Sequence, residues 1–409
     1  MLVAASADLS AGGGARECVM AMAGFKRRSL LVMVGLAGAA ADRRALAYES
    51  PSQADVSAPT VLAQAGGGAL PGATAPAPAA SAARGPWLQL APFPVPSEEL
   101  LGAASNGKLY VFAGLAPGFR PRALVYEYDP AADRWSERRP MPLASHHVAL
   151  VEHRGKIYAF GGFTFPEAGP PGWVPVDTAW EYDPTADAWR ALAPMPSQRG
   201  AAAAVVVGDR IFVVGGAGLH PGSAETAVVP GRPHRSVSTV EEYDPATNTW
   251  RARAAMPTAR NHLAIGAAGG RIYAIGGRVG AAFMTSASNT DLVEEYDPAS
   301  DSWGAVRARM PTPRSAVAWG AHGGRIYVAG GEFQDARMSA AYRAVEAYEP
   351  TTNRWFVVPS MTVARHGLAG GVIGDRLHLV SGDVQSAGTG LVVGTPVHEA
   401  LQLDIIPHL

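Results

Sequence analysis

Cysteine is nearly absent from this 409-residue chain: Cys18 is the single copy, which excludes an intramolecular disulfide framework and any zinc site built on cysteine. Charge is also scarce. Charged residues make up 17%, and 34 basic against 35 acidic side chains leave a formal net charge of −1. A nucleic-acid-binding protein would carry a basic surplus, and a charged disordered tail would show a strong imbalance, so both classes are excluded. No apolar run reaches the ~20 residues of a membrane span. Glycine and proline, by contrast, are abundant at 47 and 33 residues, about a fifth of the chain, where ~12% is typical. Such punctuation excludes a helix bundle or coiled coil and predicts many short strands joined by turns.

The N-terminus reads as an address. Lys26, Arg27 and Arg28 form a positive segment, residues 30–41 are mildly apolar, and small residues at 39–41 or 45–47 offer cleavage sites. The run from Lys26 to Leu31 resembles a twin-arginine signal, so residues 1–47 are expected to direct export to the periplasm or outside the cell. Met20 and Met22 offer alternative starts that would place residues 1–19, with Cys18, outside the protein. Residues 48–85 are Ala, Pro, Gly, Ser and Gln without hydrophobic periodicity and read as a disordered linker. The folded part is expected over residues 86–409.

There the chain repeats itself. Tryptophans recur at Trp87, Trp135, Trp189, Trp250, Trp303 and Trp355, at intervals of 48 to 61 residues. Glycine doublets end short apolar strands at Gly161-Gly162, Gly215-Gly216, Gly276-Gly277 and Gly330-Gly331, with degenerate copies at Ala113-Gly114 and Ser381-Gly382. A second strand comes next, ending in Tyr-Asp-Pro around Tyr182, Tyr243 and Tyr296, and each tryptophan lies seven residues beyond its tyrosine. This spacing predicts four strands per repeat, A to D. A glycine-bearing turn such as Gly269-Gly270 joins A to B, the doublet comes after B, and Asp-Pro turns C into D. Tyrosine and tryptophan supply flat groups to pack one sheet on the next.

A period near 50 with a glycine doublet, tyrosine and tryptophan resembles the kelch repeat. The resemblance implies an all-β, six-bladed kelch β-propeller with four antiparallel strands per blade. The last repeat stops after strand C, residues 397–405, while residues 87–91 precede the first A strand. The N-terminal segment is therefore expected to complete the last blade and close the ring.

In this architecture the D–A and B–C connections share one mouth of the central channel. The D–A frame Met-Pro-x-x-Arg places Arg199, Arg260, Arg314 and Arg365 at equivalent slots; the first two repeats carry Ser97-Glu98-Glu99 and Ser145-His146-His147 instead. Asn261, His262, Ser315 and His366 come after the arginines, and Arg278, Glu332 and Asp383 after the doublets. One reading is a positively biased pocket in which Arg199, Arg260, His262, Arg278, Arg314, Arg365 and His366 hold a ligand carboxylate. The other is that the arginines are scaffold, each paired with a neighbouring carboxylate or with carbonyls. Glu332 and Asp383 are the catalytic candidates, as an acid–base pair. No metal or other cofactor is expected: His146-His147 would face opposite ways on a strand, and His262 and His366 lack local ligand partners. The glutamates directly before the tyrosines, Glu127, Glu181, Glu242 and Glu295, read as solvated or salt-bridged scaffold rather than catalytic groups. Residues 163–178 and 217–238 are the longest B–C connections, where chain-specific recognition is expected, with a loop packing on itself as the other reading of Phe163, Phe165 and Trp173.

Propellers of this resemblance host binding modules, scaffolds and enzymes alike. A binding module for a protein segment or glycan is the first expectation, and many kelch domains use arginine and serine at this slot to hold an acidic ligand. Two exported enzyme types share the architecture. Galactose oxidase-like chemistry is excluded because the propeller has no cysteine for the cross-linked tyrosine. A sialate mutarotase-like activity on sugar acids is the alternative.

Overall fold

A computed structural model describes residues 86–118, 120–168, 172–219, 235–281, 288–334, 338–386 and 392–405. The expected export signal (1–47), the linker (48–85) and Cys18 lie outside the described residues, as do 169–171 and 220–234 of the two long connections. The described residues are strands, turns and connections without a helix, and so include no helix long and apolar enough to cross a membrane.

Six four-stranded antiparallel sheets make up the fold. The first blade runs Glu98–Ser105, Lys108–Ala116, Arg120–Asp129 and Arg134–Glu137 from A to D. The next four repeat the pattern, with A strands at Ala149–His153, Ala203–Val207, Ala264–Ala268 and Ala318–His322. The sixth joins Ala369–Ile373, Arg376–Val380 and His398–Gln402 to Trp87–Gln89, with Trp87 paired to Leu401. The expected closure by the N-terminal segment is thus how the ring is completed, and it leaves no sheet half-built.

Small residues fill the A strands because these strands crowd the axis: a Cβ on Gly102 would lie 2.4 Å from Gly370 O of the sixth blade. The turn Gly269-Gly270 has φ of 58° and 76°, as a two-residue hairpin requires. The doublets wedge neighbouring blades together. Gly216 (φ 105°) donates its N–H to Arg260 O of the next blade at 2.8 Å. Gly382 does the same to Ser97 O at 2.9 Å across the closure.

The tyrosines and tryptophans stitch the rim. Tyr243 and Trp250 have ring centroids 4.9 Å apart, and Tyr182–Trp189 and Tyr296–Trp303 repeat the arrangement at 5.0 and 5.1 Å. Tyr243 Oη donates to Asn248 Oδ1 at 2.8 Å, and the same oxygen accepts Ala193 N of the preceding blade. Trp250 Nε1 returns a bond to Ala193 O at 2.8 Å, as Trp303 does to Ala254 O and Trp355 to Ala308 O. One Tyr-Asx-Trp unit therefore ties each of the first five blades to the one before it. In the sixth, Leu401 takes the tyrosine place and Trp87 Nε1 alone reaches Pro359 O of the fifth blade, at 3.3 Å. Between blades lie cores such as Phe212, Leu263, Ile272 and Tyr296, buried because each sheet offers apolar side chains on both faces.

Candidate ligand-binding site

The four aligned arginines do not reach the mouth. Each side chain is at most 1% exposed and turns into its own blade. Arg199 Nη1 meets Glu241 Oε2 at 2.6 Å, Arg260 Nη2 meets Glu294 Oε2 at 2.8 Å, Arg314 Nη1 meets Glu346 Oε2 at 2.6 Å, and Arg365 Nη2 meets Glu399 Oε1 at 2.5 Å. The remaining donors go to strand carbonyls, as from Arg365 to Ser381 O (3.0 Å) and Val397 O (2.8 Å). A hydroxyl from each D–A connection, such as Thr258 or Thr312, completes the glutamate. Burial lowers the arginine pKa values, that of Arg260 to about 10, against the pull of the glutamates. The guanidinium groups stay charged near neutrality, held where no ligand reaches them. The expected arginine clamp is therefore replaced by the scaffold alternative, because each arginine has a carboxylate two residues before the blade's tyrosine position.

The residues after each arginine slot face the axis. The second residue beyond the slot is Glu99, His147, Ala201, His262, Ala316 or Gly367, and all six have φ between 52° and 56°. This shared left-handed corner passes a backbone bond from blade to blade: Ala201 N to His147 O, His262 N to Ala201 O, Ala316 N to His262 O, Gly367 N to Ala316 O. The corners ring a small depression that Leu101 and Trp319 also line. Three corners are small, and the other three carry a carboxylate and two imidazoles.

These polar groups converge. His147 Nε2 lies 3.0 Å from Glu99 Oε2, and the His147 and His262 rings meet edge to face at 4.6 Å, with only Ala201 on the intervening blade. His147 Nδ1 contacts His146 Nδ1, and His262 Nδ1 contacts Asn261 Oδ1. The expectation that adjacent His146 and His147 face opposite ways fails because His147 occupies the left-handed corner and not a strand position. His366 Nε2 sits between Glu98 Oε2 at 3.4 Å and Glu332 Oε2 at 3.8 Å. Burial opposes its charge, but the Glu332 and Glu98 carboxylates outweigh burial and lift His366 to about 10. Burial raises Glu98 to about 7; burial also acts on Glu99, but His147 outweighs it and holds Glu99 below the usual carboxylate range. Burial and the nearby Arg278 push His262 well down, so it is neutral.

The residues after the doublets join this cluster through single bridges, Asn261 to Arg278, Ser315 to Glu332 and His366 to Asp383. Arg278 Nη2 donates to Ser315 Oγ at 3.1 Å and contacts Glu332 Oε1. Glu332 Oε2 accepts Ser386 Oγ at 2.8 Å. Asp383 accepts the backbone amides of Gln385 (2.7 Å) and Val393 (2.8 Å) with its two oxygens. Glu332 and Asp383 are thus occupied by an ion pair and a loop cap, and the carboxylates with divergent proton affinities are Glu98 and Glu99. Of the residues singled out by sequence, His262, Arg278, His366, Glu332 and Asp383 come together at the mouth. Arg199, Arg260, Arg314 and Arg365 do not.

Models of the kelch motif match residues 144–196, 198–257, 259–303 and 313–362, together just over half the chain. The chain belongs to the kelch-repeat family. Among curated proteins it is similar to Kelch-like protein terF of Aspergillus terreus, 29% identical over 235 residues, 56% of this chain and 47% of that protein. It is also similar to Kelch-like protein 25 of Xenopus tropicalis, 30% identical over 206 residues, 50% of this chain and 32% of that one. The kelch propeller thus spans about half or less of the length of these relatives. The solved structure titled "Structure of YjhT" shares the fold, with a TM-score of 0.61 over 76% of this chain and 95% of that one at 18% identity.

Within the kelch propeller, the arginine pairing has an internal control. Blades one and two replace arginine by Ser97 and Ser145, and the matching glutamate position holds Tyr126 and Trp180. Where the arginine goes, its glutamate goes too. The glutamates directly before the tyrosines have a different role and pair with rim cations, as Glu242 does with Arg253 and Glu295 with Arg271. Glu98 and Glu99 went unassigned by sequence because their blade departs from the repeat. That departure was itself the signal: a residue that breaks a repeat at a strained corner is not required by the scaffold.

Proposed function

We propose that this kelch propeller is an exported binding module that receives a protein segment or glycan at the mouth formed by the D–A and B–C connections. The observation that carries the reading is the set of six equivalent left-handed corners. Such φ values disfavour residues with a Cβ, yet three corners carry Glu99, His147 and His262, whose side chains meet over the channel. The scaffold needs only the backbone bond from these corners, which Ala201 and Gly367 provide equally well. Four carboxylates, Glu98, Glu99, Glu332 and Asp383, face the cations Arg278 and His366, so the mouth favours ligand donors, hydroxyl or ammonium groups, over a ligand carboxylate. Export is supported by Lys26, Arg27 and Arg28 ahead of a short apolar segment.

The test is to screen the full chain on glycan and peptide arrays and to repeat each hit with Glu99→Ala and His262→Ala. Loss of at least tenfold in affinity supports the reading; hits indifferent to both substitutions contradict it. Export is checked by fractionating cells that express the chain with and without Arg27→Lys and Arg28→Lys, which should strand it in the cytoplasm.

A second reading, a sialate mutarotase-like enzyme, draws on Glu98 and Glu99, adjacent carboxylates whose proton affinities are driven apart beside the depression. The carboxylate surplus at the mouth works against a sugar acid. Anomer exchange of sialic acid followed by NMR, abolished by Glu99→Gln, would favour this reading over the first.

A further inference from the structure

We propose that Glu99, His147 and His262 form a binding site for one divalent first-row transition ion of the zinc class at the channel mouth. One carboxylate oxygen and two imidazole nitrogens from these residues lie within 4.8 Å of one another. Two ligands bound at ~2.0–2.1 Å with a tetrahedral angle between them sit ~3.3 Å apart. The observed 3.0 Å between His147 Nε2 and Glu99 Oε2 is already close to that spacing. The His262 nitrogen completes the set within the same 4.8 Å spread. Two imidazoles and one carboxylate are the donor set of open zinc and non-haem iron sites, and are too few and too nitrogen-rich for calcium or magnesium.

The second observation is how the imidazoles are held. Asn261 Nδ2 donates to Ser236 Oγ at 2.7 Å and to Ala281 O at 3.1 Å. A carbonyl can only accept, so these bonds fix the amide with Oδ1 toward His262. His262 must then donate from Nδ1, which leaves Nε2 as a bare lone pair. His147 also has an outer partner, with His146 on Nδ1, while its Nε2 faces Glu99 Oε2 and would give up any proton there to an ion. A metal-binding histidine with its other nitrogen tied to an outer partner has this pattern. The ring provides the space: Ala201 lets His147 and His262 meet, and Gly367 leaves room for Glu99, since a Cβ there would lie 2.7 Å from Glu99 N. All three residues line the depression, from which a further ligand would reach the ion. The site uses the same corner residues as the proposed docking mouth, but ion uptake is read on this chain alone, so its failure is distinguishable from failure of the docking reading.

The test uses the full chain carrying Cys18→Ser, which removes the one thiol. After chelation and dialysis it is titrated with Zn²⁺ by calorimetry and with Co²⁺ by visible absorption. The expected result is one tight equivalent, with Co²⁺ bands of a four- or five-coordinate site. Each of Glu99→Gln, His147→Gln and His262→Gln, shown folded by circular dichroism, should weaken it at least tenfold. Asn261→Ala, which is not a ligand, should weaken it about ten- to a hundredfold by freeing the His262 ring, while His322→Gln at the far end of the fifth A strand leaves it unchanged. A folded chain that takes up no equivalent overturns the proposal. So does an equivalent that survives all three ligand substitutions at full affinity.

Discussion

Arg260 and Glu294 meet 2.8 Å apart inside the fourth blade, their side chains 0% and 3% exposed. The pair bridges the D–A connection to strand C, and the arginine also donates to Ala274 O, Gly276 O and Leu292 O. It fastens the connection that presents Asn261 and His262. Removing one partner of such a pair leaves a buried charge unmatched. Arg260→Ser should therefore destabilise the fold by about 3–5 kcal/mol in urea titrations. Adding Glu294→Trp, which copies the Ser145 and Trp180 solution of the second blade, should restore most of the loss. A double variant no better than the single one would mean that the two blades are not interchangeable.

Asn248 accepts from Tyr243 Oη and from Ala193 N, both at 2.8 Å, so one side-chain oxygen joins two blades. Asn248→Ala leaves two donors without that acceptor and should cost about 1–3 kcal/mol. Asn248→Asp should be nearly neutral, because Asp187 and Asp301 hold the same place in their blades. Thermal unfolding of the two variants side by side checks both expectations.

The closing blade carries an acid-sensitive pair. His378 Nδ1 and His398 Nε2 are 3.0 Å apart, and His398 Nδ1 reaches Ala91 O beside the N-terminal strand at 3.2 Å. Burial, with the nearby Arg376, lowers His378 to about 4, and burial, with His378, lowers His398 to about 3. Asp133 partly favours the charged form of His398, and Arg365 opposes it. Both folded values lie below the ~6.5 of an unfolded histidine. The unfolded chain therefore takes up more protons as pH falls, and the stabilisation present above about pH 6.5 is lost on the way down to about pH 4. His378→Phe, which copies Phe212 at the equivalent place in the third blade, should flatten the stability profile in that range by about one proton. An unchanged slope would place the acid sensitivity elsewhere.

The ring itself was legible in the sequence. Tryptophan spacing, glycine doublets and the unpaired segment at residues 87–91 led to six blades and to the closing strand, because each reflects a backbone requirement repeated in every blade. The arginine slots were legible as repeats but not in their role. Their partners are Glu241, Glu294, Glu346 and Glu399, two residues before the tyrosine position, whereas Glu242 and Glu295, next to the tyrosine, pair at the rim. Strand alternation separates those neighbours onto opposite faces. The loss of arginine together with glutamate in blades one and two, visible in the sequence alone, would have distinguished the two sets. The cluster at the mouth was harder to see. Glu99, His147 and His262 lie 48 and 115 residues apart in the sequence, and only the left-handed corner that each occupies turns them toward one point.

The central claim is that residues shared by the blades hold the ring together, while those that break the repeat at the axial corners bind. The most direct test takes the tightest array hit and measures its affinity for the full chain, for Glu99→Ala, and for the double variant Arg314→Ser with Glu346→Tyr. The account predicts at least a tenfold loss in Glu99→Ala and wild-type affinity in the folded double variant. Unchanged affinity in Glu99→Ala, with loss in the double variant, would contradict it.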